Sequence, residues 1–202
     1  MTTIHLVRHG EVHNPDRILY LRLPGMYLSE SGHRQARCVA QILKLRPTAA
    51  VMTSPMPRAV QTADYIAHEH GLMLECSRLL NEIYSPYEGY PIEKIERIGW
   101  DLYTGVTPPY ERWEDVLGRV QQFCGEMCAA HPGQEVVAVT HGDIVVTAAL
   151  WARGLPLSLE GRRHIPYPGH ASITTLVFNT ADHPFDAASS RPEWRYDDRV
   201  CG

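Results

Sequence analysis

Ile4-His5-Leu6-Val7-Arg8-His9-Gly10 and, far along the chain, Val136-Val137-Ala138-Val139-Thr140-His141-Gly142 decide the reading of this sequence. Each is a short apolar, β-branched run that stops at a histidine and a glycine. Such a run reads as a buried strand delivering an imidazole to its carboxyl end. In open α/β sheets ligands bind at that edge. Two such deliveries, the first with Arg8 beside His9, suggest a site for a phosphoryl group. Histidine can attack phosphorus, and arginine offers a planar fork of donors to phosphate oxygens.

Outward from these runs the chain alternates strand-like and helix-like segments. Ser29 reads as the N-cap of a helix whose apolar positions Ala36, Val39, Ala40, Ile42 and Leu43 extend to about Leu45. Residues 49–52 form a second short strand. A helix starts near Pro57, a residue tolerated in a first turn, and stops at Gly71. A third strand covers 72–76. Residues 91–103 and 111–130 read as helices separated by the breakers of 105–109. Residues 135–140 are the fourth strand, and 143–152 form an apolar helix closed by Gly154 and Pro156. Residues 171–178 read as a late strand, and Trp194 and Tyr196 could pin an edge strand in the polar tail. Strands alternating with helices predict a three-layer α/β/α sandwich, a mostly parallel sheet flanked by helices. The 202 residues fit a single domain, 1–202, with a helical insertion at about 87–130.

Composition narrows the function classes. The chain is 44% hydrophobic and 21% charged, with a formal net charge of −4. That balance, with no long Lys/Arg run, gives no footprint for nucleic acid. No stretch approaches the ~18 apolar residues of a membrane span, and no basic leader precedes an apolar run, so a cytoplasmic protein is expected, with no membrane partner. Any attraction for anions must be local to a pocket. The five cysteines, Cys38, Cys76, Cys124, Cys128 and Cys201, lack paired zinc-site spacing and read as reduced structural thiols. His68-Glu69-His70 and His13 come nearest to a metal cluster, but His68 and His70 face different sides of a helix. No metal and no cofactor are expected.

Four segments carry the chemistry. In the first, His9 is the candidate nucleophile, Arg8 a phosphate clamp, Gly10 a place for the backbone to pass close to the ligand, and Asn14 an amide donor. In the second, Ser54-Pro55-Met56-Pro57-Arg58 puts Arg58 in the first turn of its helix. A cation there is disfavoured by the helix dipole unless it meets an anion. In the third, His141 and Gly142 open a helix, and His141, if protonated, would donate to phosphate. In the fourth, Leu80-Asn81-Glu82 offers a carboxyl to protonate a leaving alkoxide, with Glu88 as its structural partner. Each has a bland reading, a capped histidine or a solvated arginine, if it stands alone.

Together, Leu6-Val7-Arg8-His9-Gly10-Glu11, Leu28-Ser29-Glu30-Ser31-Gly32-His33-Arg34-Gln35-Ala36, Ser54-Pro55-Met56-Pro57-Arg58-Ala59-Val60-Gln61-Thr62-Ala63, Asn81-Glu82 and Val139-Thr140-His141-Gly142-Asp143 resemble the histidine phosphatase superfamily, in its phosphoglycerate mutase-like branch. The resemblance implies that His9 becomes phosphohistidine, that Arg8, Arg58 and His141 form the phosphate pocket, and that Glu82 is first acid and then base. The family's asparagine usually lies one residue beyond Asn14, where this chain has Pro15. After the tyrosine of the following loop the family often has a small residue, frequently glycine. Here Tyr20 is followed by Leu21-Arg22.

The function expected is hydrolysis of a small phosphate monoester from a phosphorylated metabolite, without a metal. The alternatives are a cofactor-dependent phosphoglycerate mutase, a protein phosphohistidine or phosphoserine phosphatase, and a non-catalytic phosphate binder. A mutase resembling this chain would hold its substrate carboxylate with basic residues of the insertion. Here they are Lys94 and Arg97, followed by Arg112, with no adjacent arginine pair. The sequence leaves open whether the chain forms a homodimer.

Overall fold

The computed structural model describes residues 1–179 and 191–197. Among these, six strands make one sheet: β1 (Thr2–Arg8), β2 (Thr48–Thr53), β3 (Leu74–Cys76), β4 (Glu135–Thr140), β5 (Ile173–Phe178) and β6 (Glu193–Asp197). Their order is β3-β2-β4-β1-β5-β6. The first four in that order run parallel, while β5 is antiparallel to β1, and β6 to β5. The sheet is therefore mixed, with its parallel part at the site. The helices are α1 (Glu30–Leu43), α2 (Pro57–His70), α3 (Ile92–Arg97), α4 (Trp113–Ala130), α5 (Gly142–Arg153) and α6 (Leu159–Arg162). None is long and apolar enough to cross a membrane.

Alternation along the strands builds two cores. Ile4 and Leu6 of β1 and Val136 and Ala138 of β4 face the layer of α4 and α5, where Val116, Val120, Phe123 and Ile144 are buried. Val7, Val137 and Val139 face α1 and α2, against Val39, Leu43, Ala59, Ala63 and Ile66. Strands covered on both faces need apolar residues at every position, which is why these runs read as continuous rather than alternating.

The helix boundaries follow from their end residues. Ser29 Oγ accepts the Gly32 N–H at 3.0 Å and caps α1. Gly71 and Gly154 end α2 and α5 in the left-handed conformation, with φ of 64° and 65°. The helix expected over 91–103 is cut to α3. Gly99 and Trp100 take positive φ there, and the Asp101 carboxylate accepts the N–H groups of Tyr103 and Thr104. The expected edge strand around Trp194 and Tyr196 is β6. The rest of the tail lies outside the described residues.

One expectation needs correction and one gains a second reason. Gly10 is required by packing. A Cβ there would lie 2.6 Å from the Gly32 carbonyl oxygen, and one on Gly32 would lie 2.0 Å from that of Glu11. The glycines let the loop after β1 press onto the start of α1. Not all the cysteines are reduced: Cys76, Cys124 and Cys128 are free thiols, but Cys38 is disulfide-bonded. Cys201 lies outside the described residues.

Candidate active site

Hydrogen bonding in the sheet sets the two histidines side by side. Although fourth in sequence, β4 lies next to β1, with Arg8 opposite Thr140. The His9 N–H donates to the Thr140 carbonyl at 3.0 Å. His9 and His141 therefore leave adjacent strand ends, and their ring centroids are 5.2 Å apart. Thr62 of α2 fixes the turn after His9: its hydroxyl accepts the Gly10 N–H and donates to the Arg58 carbonyl.

Arg58 links the two rings. It is fully buried in the first turn of α2, where the dipole opposes a cation. Its Nε donates to His9 Nε2 at 3.1 Å, and its Nη2 donates to His141 Nδ1 at 3.0 Å and to the Leu21 carbonyl at 2.6 Å. The guanidinium lies over the Tyr20 ring at 4.8 Å. Arginine has no acceptor, so both imidazole nitrogens facing it carry lone pairs. The opposite nitrogens are the donors. His9 Nδ1–H donates to the Gly10 carbonyl at 2.7 Å, and His141 Nε2–H donates to Ser54 Oγ at 2.8 Å. Ser54 passes its proton toward Asn81 Oδ1 at 3.2 Å.

This pattern fixes the charge state. Burial, reinforced by Arg58, holds the pKa of both histidines well below the ordinary 6.5. His9 is thus neutral, its Nε2 lone pair free of a proton and accepting from Arg58 Nε. His141 is neutral as well in this state, its Nδ1 accepting from Arg58 Nη2.

Two buried arginine nitrogens have no hydrogen-bond partner among the described residues, Arg58 Nη1 and Arg8 Nε. Arg8 is otherwise anchored, its Nη1 donating to the Pro168 carbonyl at 2.7 Å and its guanidinium 5.1 Å from the Tyr167 ring centroid. Arg8, His9, Glu82, Asp143 and His170 share the wall of one cavity of about 200 Å³. Arg8 belongs to that wall, and Arg58 reaches it through its hydrogen bond to His9; unpaired buried cationic donors of this kind fit an anion.

Glu82 is buried, and its pKa is pushed up to about 7, first by burial and then by the Asp143 carboxylate. Its Oε1 accepts the Ile83 N–H at 2.9 Å. The backbone at Glu82 is held by arginines: Arg22 Nε donates to its carbonyl at 2.6 Å, and Arg119 donates to the carbonyls of Leu79 and Asn81 at 2.7 Å. Glu111 binds both guanidiniums. Glu88 accepts the Arg22 N–H at 2.6 Å, and Arg22 in turn donates to the Glu82 carbonyl.

The structure thus brings Arg8, His9, Arg58, Glu82 and His141 together. Asn14 reaches the cavity wall, but its side chain closes a turn: Nδ2 donates to the Ile18 carbonyl, and Oδ1 accepts the Ile18 N–H. Gly142 opens α5, and a Cβ there would lie 2.2 Å from Tyr167 Oη. Sequence reasoning did not single out Tyr20, Asp143, Tyr167 or His170 as site residues. Asp143 accepts the hydroxyls of Tyr103 at 3.1 Å and Tyr167 at 3.4 Å. Its position right after His141-Gly142 was the available signal. His170 lies 5.9 Å from His9 between ring centroids, and burial beside Arg8 lowers its pKa to about 4. No cluster of three or more metal-ligating side chains occurs among the described residues.

Comparison with known proteins is consistent with this geometry. Residues 4–187 match the model of the histidine phosphatase superfamily, branch 1. An uncharacterized protein of Mycobacterium tuberculosis is 37% identical over 198 residues, covering 95% of this chain and 96% of its own. The uncharacterized phosphatase PhoE of Bacillus subtilis is 31% identical over 150 residues, 72% of this chain and 74% of its own. The structure of a mycobacterial glucosyl-3-phosphoglycerate phosphatase superposes with a TM-score of 0.79, covering 96% of each chain at 24% identity, a likeness of fold.

Proposed function

Because the chain belongs to the histidine phosphatase superfamily and is a phosphatase of phosphate monoesters, we propose that it moves the phosphoryl group first to His9 and then to water. The observation that carries this reading is the His9 Nε2 lone pair, fixed by the Nδ1–H bond to Gly10 and flanked by the unpartnered nitrogens of Arg8 and Arg58. The phosphate of a small monoester takes those donors. Arg58 Nε then releases the lone pair of His9 Nε2, which attacks phosphorus in line with the departing oxygen. The dianion offsets Arg58 and lets His141 take up a proton and donate to an equatorial oxygen. Glu82 gives its proton to the leaving alkoxide. The resulting carboxylate removes a proton from water as water attacks phosphorus and breaks the P–N bond. The transition-state charge is met by guanidinium and imidazolium groups, so the scheme calls for no metal.

The mutase alternative is disfavoured by the placement of the insertion's cations. Lys94 lies 5.8 Å from the Tyr90 ring centroid and Arg112 pairs with Asp115, and neither lines the cavity. The test is chemical. Purified protein should hydrolyse p-nitrophenyl phosphate in EDTA and form an acid-labile, alkali-stable phosphoenzyme that His9→Ala abolishes. Dependence on added metal, or an adduct that survives His9→Ala, would refute the scheme.

A further inference from the structure

The cavity wall carries Arg8, His9, Glu82 and Asp143 together with the apolar residues Ile18, Leu19, Leu21, Ile92, Trp100 and Leu102. We propose that this apolar lining selects monoesters of uncharged, apolar alcohols, aryl or alkyl, over those whose leaving group carries a carboxylate or a second phosphate. The inference rests on the phosphatase reading and narrows its substrate class.

The distribution of charge is the first argument. Beyond Arg8, the described cavity wall has no arginine or lysine, and the guanidiniums around it are committed elsewhere. Arg22 donates to the Glu82 carbonyl and to Glu111. Arg162 donates to the Trp100 carbonyl, lies over the Tyr167 ring at 5.2 Å and opens onto a separate surface hollow. The acidic groups on the same wall are Glu82 and Asp143. A carboxylate on the leaving group would be buried against apolar side chains beside two acids, with no cation to meet it.

The second argument is how the apolar wall is built. The loop of Ile18–Arg22 is zipped to the segment before α3 by main-chain hydrogen bonds. Leu19 N–H donates to Tyr90 at 2.7 Å, Gly89 N–H to Leu19 at 2.8 Å and Ile92 N–H to Arg17 at 2.9 Å. Two residues of this wall hold left-handed backbone without being glycine, Leu21 at φ 28° and Trp100 at φ 61°. Bulky residues avoid that region, and where they adopt it the strain concentrates at functional sites. Leu21 is buried and lines the wall. The chain keeps an apolar side chain there against backbone preference. A cavity of about 200 Å³, below the ~300 Å³ of sites for drug-sized ligands, further restricts the leaving group to a small one.

The test compares phenyl phosphate with 4-carboxyphenyl phosphate, which differ by the carboxylate alone. The wild-type kcat/KM should favour phenyl phosphate by about tenfold or more, because an uncompensated carboxylate is costly to bury. Ile92→Arg, at a half-buried position, places a cation in the wall and should shrink that ratio about threefold or more. Leu19→Arg repeats the test from the facing segment should Ile92→Arg not fold. A wild-type ratio near one, a preference for the carboxylated ester, or a ratio unmoved by the added arginine would overturn the proposal. Hydrolysis of neither ester would refute the phosphatase reading, and this inference with it.

Discussion

Asp143→Asn gives the sharpest test of the acid. The Glu82 pKa is pushed up to about 7, first by burial and second by the Asp143 carboxylate. Arg58, the Ile83 N–H and Arg119 act in the other direction. Asparagine removes the Asp143 charge but keeps the shape. It can still accept from Tyr103 and can donate to Tyr167, so the α5 start stays in place. Burial persists in the variant, so only part of the elevation is lost, and the Glu82 pKa moves down from about 7. Glu82 must be protonated to donate, so kcat/KM for an alkyl phosphate falls as pH rises through its pKa, and the variant's alkaline limb lies at lower pH. At pH 7 the variant should therefore be slower by roughly a few-fold, while at pH 5 the two proteins converge. The assay is kcat/KM between pH 5 and 9 for one alkyl and one aryl phosphate. An alkaline limb that stays put, or a loss equal at every pH, would refute the argument that Asp143 acts through the Glu82 proton.

Three further outcomes follow from the same geometry. Glu82→Gln should lower turnover of alkyl phosphates by about 10²–10⁴-fold and of aryl phosphates far less, since aryl leaving groups need less protonation; equal losses would move the acid to another residue. His9 and His141 are buried neutral, with folded pKa values depressed below that of the unfolded chain. The unfolded state therefore binds more protons as pH falls through about 6.5, and stability present above that pH is lost below it. Melting curves from pH 8 to 5 should show a falling midpoint that inorganic phosphate partly restores by stabilising the protonated His141; a midpoint indifferent to both would contradict the burial argument. Gly32→Ala puts a Cβ 2.0 Å from the Glu11 carbonyl oxygen and should destabilise by about 1–3 kcal/mol in denaturant titration, whereas a neutral result would show that the loop after β1 yields freely.

The sheet strands and helix ends at the site were legible because they rest on local chemistry. β-branched runs made β1 and β4, Ser29 capped α1, and Gly71 and Gly154 ended α2 and α5. The grouping of Arg8, His9, Arg58, Glu82 and His141 was read from motifs, each at the end of a strand, in a helix's first turn or in a turn. What escaped depends on distant pairing. Nothing local says that β4 inserts beside β1, the step that sets the two rings 5.2 Å apart. The neutral state of His141 depends on Arg58, eighty-three positions away, which donates to its Nδ1. The packing need for glycine at position 10 depends on Gly32, a contact made by folding. Asp143 gained significance only when Tyr103 and Tyr167, from separate segments, converged on its oxygens.

The same long-range contacts explain how a fully buried arginine is tolerated. Leaving a buried donor without a partner costs about 1–3 kcal/mol, and more for a charged group. Arg58 and Arg8 each carry one such nitrogen. The fold limits the penalty by satisfying the remainder: Arg58 with two imidazoles, a carbonyl and the face of Tyr20, Arg8 with the Pro168 carbonyl and Tyr167. Among the described residues, one nitrogen on each guanidinium stays unpaired. A site made wholly of satisfied groups would be more stable and would have to break hydrogen bonds to bind phosphate. One made of solvated arginines would have to shed water. Here the donors are dry and aimed beforehand, so phosphate binding releases the strain of burial where the phosphoryl group is transferred.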